Sequence, residues 1–199
     1  MSAPVIYYIR HGETSWNKEG RLQGAQDVAL NELGRAQASH AGRVLAGLMA
    51  RDGRDKASFP FVSSPLGRAR STMELVRGVL ELPPEEYSLD DRLREIGYGV
   101  WEGSTLAEMK AADPELYARR QIAKWTLAPE GGETYAAVQA RMQDWYASLR
   151  ADTVAVAHGG TARALMVALG IETPLSAADL TIEQGAVYVF RDGGLQKYS

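Results

Sequence analysis

Two of the three histidines, His11 and His158, each follow a short apolar, β-rich run directly. Val5–Ile9 ends in Arg10-His11-Gly12, and Thr153–Ala157 runs into His158-Gly159-Gly160. Ligands of an open α/β sheet bind beyond the carboxyl ends of its strands, so both imidazoles are delivered to that edge. A third run, Phe59–Ser63, leads through Ser64-Pro65-Leu66 to Arg68 and Arg70. Gly159-Gly160 opens a helix, whose free N–H groups and partial positive charge favour an anion, and glycine lets that anion approach the backbone closely. Histidine and arginine from three strand ends thus make, in physical terms, a phosphate site. An isolated strand-end histidine is an ordinary turn residue; the company of His158 and Arg68 separates His11 from that reading. His40 lies within a helical pattern without such company and reads as a bystander.

Composition narrows the chemistry further. The 199-residue chain has no Cys, which removes thiolate nucleophiles, disulfides and Cys-ligated zinc or iron–sulfur clusters. Three His leave little for a His-rich metal site, although carboxylate-bound Mg²⁺ or Ca²⁺ is compatible with composition alone. The net charge of −3 gives no global basic field for nucleic acid. Arg outnumbers Lys by seventeen to five, a bias that suits fork-like binding of anions and also matches ordinary codon bias. Without a signal-peptide pattern or an eighteen-residue apolar stretch, a soluble cytoplasmic protein with no membrane partner is expected.

The elements that must hold these residues alternate between strand and helix. Asn31 is placed to cap a helix reaching about Ala50. A second helix begins near Pro65, carries Leu66, Ala69, Met73, Val76 and Leu80, and stops at Pro83-Pro84. Tyr87–Leu106 reads as strand or loop, and two short helical pieces fall between Leu106 and Trp125. Thr134 caps a helix carrying Val138, Met142, Trp145 and Leu149. Ala186–Phe190 is a strand, with Gly193-Gly194 turning a hairpin into Leu195–Tyr198. This pattern predicts an α/β fold, a three-layer sandwich with a mainly parallel central sheet flanked by helices. No repeat or linker divides it, so residues 1–199 are expected to form a single domain.

At Arg10-His11-Gly12-Glu13-Thr14-Ser15-Trp16-Asn17 the sequence resembles the signature of the histidine phosphatase superfamily, the phosphoglycerate-mutase-like fold. The resemblance continues through Gly20-Arg21-Leu22-Gln23-Gly24, Ser63-Ser64-Pro65-Leu66-Gly67-Arg68-Ala69, Leu93-Arg94-Glu95, Gly99-Val100-Trp101-Glu102-Gly103, Gly132-Glu133-Thr134 and Ala157-His158-Gly159-Gly160. Departures are minor: Ala29 stands for a frequent Pro, Asn31 for a capping Thr, and Met73 for a small residue.

The resemblance implies His11 as the nucleophile of a phosphohistidine intermediate, with Arg10, Arg68 and His158 clamping the phosphoryl oxygens. Glu95 matches the general acid and base, ahead of Glu13 and Glu102, of which Glu102 looks structural beside Trp101. Asn17, Gln23, Gly24 and Gly159 are expected to contact phosphate or substrate, though Asn17, Gln23 and Gly24 each serve equally well as turn residues. Arg and His would supply the positive charge that a metal gives elsewhere, so neither metal nor cofactor is expected. The expected partner is a small phosphorylated substrate. A phosphomonoester hydrolase is the first reading. A cofactor-dependent phosphoglycerate mutase is the alternative, and a non-catalytic phospho-ligand binding module the third. Met109, Tyr117 and Trp125 make Leu106–Ala128 either a cover over the crevice or ordinary helix packing.

Overall fold

Alternation along the first strand decides the architecture. In β1 (Ile6–Arg10), Ile6 and Tyr8 join one apolar cluster and Tyr7 and Ile9 join another, all four fully buried. A strand buried on both faces needs helices on both sides. The computed structural model, which describes residues 3–199, supplies them. In chain order the remaining elements are α1 (Ser15–Glu19), α2 (Glu32–Arg51), β2 (Phe61–Ser63), α3 (Gly67–Val79), β3 (Ser88–Leu89), α4 (Leu106–Ala112), α5 (Pro114–Ile122), α6 (Tyr135–Ser148), β4 (Thr153–Ala157), α7 (Gly159–Ala168), α8 (Pro174–Ala177), β5 (Val187–Arg191) and β6 (Gly194–Tyr198). The six-stranded sheet has the order β3-β2-β4-β1-β5-β6. Its first four strands are parallel; β5 runs antiparallel to β1, and β6 pairs antiparallel with β5 at the edge. Leu45 of α2 and Met73 of α3 pack on one face, Met142 and Trp145 of α6 and Leu165 of α7 on the other. The mainly parallel three-layer sandwich is therefore the fold.

Parallel pairing brings three carboxyl ends level. The His11 N–H donates to Ala157 O and the Ser64 N–H to Val156 O, both at 2.9 Å, so the chain is still tied to β4 as it leaves β1 and β2. Gly12 lies against the start of α2 so closely that a Cβ there would stand 2.1 Å from Gly34 O. Asn31 caps α2 by accepting from the Gly34 N–H (2.8 Å), and its side-chain amide donates to the Glu13 carboxylate (2.8 Å). Glu13 therefore serves the cap.

Several boundaries differ from expectation. The second strand starts at Phe61, because Lys56–Ser58 forms a single 3-10 turn and Pro60 has no N–H to donate. α3 starts at Gly67 rather than Pro65 and has no local side-chain cap. The Asp27 carboxylate caps it from a distance, accepting from the Gly67 N–H at 2.8 Å. It ends at Val79, before the prolines, where Glu81 adopts a left-handed φ of 57°. The hairpin turn places Asp192 (φ 51°) and Gly193 (φ 74°) as the two positive-φ residues, as a tight two-residue turn requires. Among the described residues no helix is long and apolar enough to cross a membrane.

Candidate active site

A cavity of about 170 Å³ opens at the carboxyl ends of β1, β2 and β4. Arg10, His11, Asn17, Arg21, Leu22, Gln23, Gly24, Arg68, Glu95, Tyr98, Gly159 and Arg163 line it. Every site residue expected from the sequence is on that wall except His158, which lies fully buried beside His11 with ring centroids 5.1 Å apart.

His11 is itself only 1% exposed. Its Nδ1 lies 2.7 Å from Gly12 O. A carbonyl only accepts, so Nδ1 carries the ring proton and the Nε2 lone pair is left free. Burial, and then the charges of Arg10 and Arg68, hold this imidazole well below its usual 6.5. It is neutral at pH 7, the state in which it can attack.

The cations are fixed by backbone carbonyls. Arg10 Nη1 donates to Ile182 O (2.6 Å), while Arg68 donates through Nη1 to Gln26 O (2.5 Å) and through Nη2 to Gly24 O (2.8 Å). Neither has a carboxylate partner within ion-pair distance among the described residues, and the Nε of each is buried without any hydrogen-bond partner. His158 repeats the pattern. Its Nε2 pairs with Ser64 Oγ at 2.8 Å, and the same hydroxyl accepts from the Leu66 N–H (3.3 Å). Nδ1 is again buried and unpartnered. Burial, Arg68, His11 and Arg10 together hold His158 well below 6.5. Leaving a buried donor unmade costs about 1–3 kcal/mol, more for a charged group, so the two bare guanidinium Nε groups on the wall of one cavity call for an anion.

Glu95 sits at the opening of α7. Its carboxylate accepts from the Gly160 N–H (3.0 and 3.2 Å) and from the Ile96 N–H (2.9 Å). Gly160 is glycine for this reason, since a Cβ there would stand 2.3 Å from Glu95 Oε1. Glu102 does different work. Its Oε1 accepts from the Ala25 and Tyr98 N–H groups (3.0 and 3.2 Å), pinning the loop whose Gly24 and Gln26 carbonyls hold Arg68. Arg70 is exposed and reaches only the Tyr87 hydroxyl, and His40 is exposed on α2.

Asn17 uses Oδ1 for structure, accepting from Thr14 and from Gln184 Nε2 (3.0 Å), which leaves its amide nitrogen for the cavity. Gln23 is buried with Oε1 unpartnered. Sequence reasoning missed Tyr98, Leu22, Arg21 and Arg163 as wall residues. Arg163 comes one helical turn after Gly159 and so shares its face, a signal present once α7 is drawn; no local pattern marks Tyr98. None of residues 106–128 lines the cavity. Met109 and Arg120 are buried, and Trp125 stacks on Tyr135 with centroids 5.0 Å apart, so this stretch is helix packing.

The model of the histidine phosphatase superfamily (branch 1) matches residues 6–194. A glucosyl-3-phosphoglycerate phosphatase of Mycolicibacterium vanbaalenii is 37% identical over 182 residues, 85% of this chain and 75% of its own. A 2,3-bisphosphoglycerate-dependent phosphoglycerate mutase of Beijerinckia indica is 29% identical, covering 94% of this chain and 91% of its own. Among solved structures, Bacillus stearothermophilus YhfR superposes with a TM-score of 0.78 at 30% identity, over 98% of this chain and 95% of that one.

Proposed function

The chain belongs to the histidine phosphatase superfamily, branch 1, and is a phosphatase; we propose that His11 is its nucleophile, Glu95 its general acid and base, and a small phosphomonoester its substrate. The observation that carries this reading is the free Nε2 of a neutral, buried His11 between two arginines whose Nε groups lack partners. In the first step Nε2 attacks phosphorus, the bond from phosphorus to the alcohol oxygen breaks, and Glu95 in its acid form protonates the leaving oxygen. In the second, Glu95 takes a proton from water, the water oxygen attacks phosphorus, and the phosphorus–nitrogen bond breaks to release phosphate and free imidazole. Arg10, Arg68 and His158 face the charge that grows on the phosphoryl oxygens. Removing one such donor typically costs about 2.7–4 kcal/mol of transition-state stabilisation. Asn17, Gln23, Gly24 and Gly159 border the substrate.

Because arginines supply the positive charge, turnover is expected to survive excess chelator. The test is phosphate release from 4-nitrophenyl phosphate and from glucosyl-3-phosphoglycerate, with and without chelator, in native protein and in His11→Ala and His40→Ala. Native and His40→Ala turnover that ignores chelator, with none in His11→Ala, is the expected result. Turnover restored only by Mg²⁺, or retained in His11→Ala, would sink the mechanism. Isomerisation of 3-phosphoglycerate primed by a trace of bisphosphoglycerate, outpacing phosphate release, would favour the mutase instead.

A further inference from the structure

Gly132-Glu133-Thr134 puts no residue on the cavity wall. It serves the loop that carries Glu95 instead. Thr134 caps α6 by accepting from the Ala137 N–H (3.1 Å). Gly132 pairs with Tyr98 in an isolated antiparallel bridge, and a Cβ on Gly132 would stand 3.0 Å from Gly97 O. The Glu133 N–H donates to that same oxygen (2.8 Å), and the Glu133 side chain returns to Gly97 from the other side. Its Oε2 accepts from the Gly97 N–H (3.0 Å) and from Arg141 Nη2 (3.1 Å), and its Oε1 from Arg141 Nε (3.3 Å). Arg141, two turns along α6, donates Nη1 to Arg92 O. One half-buried ion pair therefore grips the chain three residues before Glu95 and two residues after it.

We propose that Glu133 and Arg141 are positioning residues for proton transfer: the pair sets where the loop 92–97 holds the Glu95 carboxylate. The inference rests on the reading of Glu95 as general acid and base. Among the described residues, the donors to the Glu95 carboxylate are backbone N–H groups alone, those of Ile96 and Gly160, so no side chain corrects its place if the loop shifts. The ion pair itself is only half-buried, and such pairs contribute little to stability. What distinguishes it is where its remaining bonds go, to two backbone groups that flank one carboxylate. The two residues are unequal in this. Arg92 has further ties to α6, through Nη1 to Asp144 O (3.2 Å) and Nη2 to Ser148 Oγ (3.1 Å), whereas the Gly97 N–H has Glu133 as its partner. Losing Glu133 therefore frees the loop more than losing Arg141 does.

The test compares kcat/KM for glycerol 2-phosphate, whose alkoxide must be protonated as it leaves, with kcat/KM for 4-nitrophenyl phosphate, whose leaving group needs no proton. Glu133→Ala is expected to lower the first by about 10- to 100-fold, the usual cost of a catalytic group misplaced by roughly 1 Å, and to spare the second. Arg141→Met is expected to do the same to a smaller extent. Glu133→Gln keeps an oxygen for the Gly97 N–H and is expected to retain most of the activity on glycerol 2-phosphate. In a Glu95→Gln background, Glu133→Ala is expected to cost nothing more, because both act through one carboxylate. Because the readout is a ratio within each protein, a partly unstable variant still reports. Equal losses on the two substrates in Glu133→Ala, an unchanged ratio, a Glu133→Gln loss as large as that of Glu133→Ala, or losses that multiply with Glu95→Gln each overturn the assignment. Full activity of Glu95→Gln on glycerol 2-phosphate is a different failure: it strikes the reading of Glu95 itself, and the inference falls with it.

Discussion

Replacing Gly160 with alanine sets helix propensity against the position of the catalytic acid. Alanine is the better helix former by about 0.5–1 kcal/mol, so propensity alone predicts a slightly more stable protein. The new Cβ, however, would stand 2.3 Å from Glu95 Oε1 and 2.6 Å from Ile96 Cγ2, where real Cβ contacts do not fall below 3.0 Å. Ile96 is fully buried and has no room to retreat, so the carboxylate moves and gives up its bonds to the Gly160 N–H. A misplacement of about 1 Å commonly costs on the order of 10²-fold in rate, and loss of a general acid outright about 10²–10⁴-fold. We therefore expect kcat/KM for an alkyl phosphate to fall about 10²- to 10³-fold. The clash with buried Ile96 is overpacking, of the order of 1–3 kcal/mol, so the melting temperature should fall by about 2–12 °C at roughly 2–4 °C per kcal/mol in a domain this size.

The leaving group separates this effect from general damage. Nitrophenolate departs without a proton, so phosphorylation of His11 by 4-nitrophenyl phosphate should be spared while hydrolysis of the phosphohistidine, which needs Glu95 as base, slows. Stopped-flow absorbance should then show a burst approaching one nitrophenol per active site, succeeded by a slow steady state. Glu95→Gln should behave alike, and the double variant should be no worse than the poorer single, because both act through one group. Full activity on an alkyl phosphate in Gly160→Ala, or losses that multiply in the double variant, would refute the coupling.

Folding stability should depend on pH through the two buried imidazoles. Both are held well below 6.5 in the fold, so below about 6.5 the unfolded chain binds more protons and stability falls as pH drops, while above it their contribution is flat. Urea melts between pH 7.5 and 5 check this, and an unchanged slope in His158→Asn would refute it. Orthovanadate should stabilise the protein by satisfying the bare donors, by about 2.7 kcal/mol at a hundredfold excess over Kd. Thermal melts with and without vanadate test it, and an equal shift in Arg68→Met would refute the clamp. Glu102→Ala should release the Ala25 N–H and with it the loop carrying the Gly24 and Gln26 carbonyls. Its signature is a raised KM for aryl phosphate with a smaller change in kcat; an unchanged KM would leave Glu102 without that role.

The residues at strand ends could be read from the chain because a buried strand is a local signal: Val5–Ile9 and Thr153–Ala157 are apolar runs, and the residues directly after each are forced to the sheet edge. Helix α1 escaped for the opposite reason. Its five residues bury nothing, so it has no apolar period, and only the Thr14–Asn17 capping pair marks it. The two arginines look alike in sequence, yet Arg68 owes its orientation to loop carbonyls 42 and 44 residues away and Arg10 to one 172 residues away. No local pattern encodes such distances. The glycines of the motifs show what links them. Gly12 leaves room for Gly34, Gly24 for the Glu102 carboxylate and Gly160 for that of Glu95. Gly24 and Gly160 each give space to a side chain from another motif, and Gly12 gives it to the start of the helix that Asn31 caps. The blocks that stand apart in the sequence are therefore halves of the same contacts, and substituting one half changes the geometry of the other.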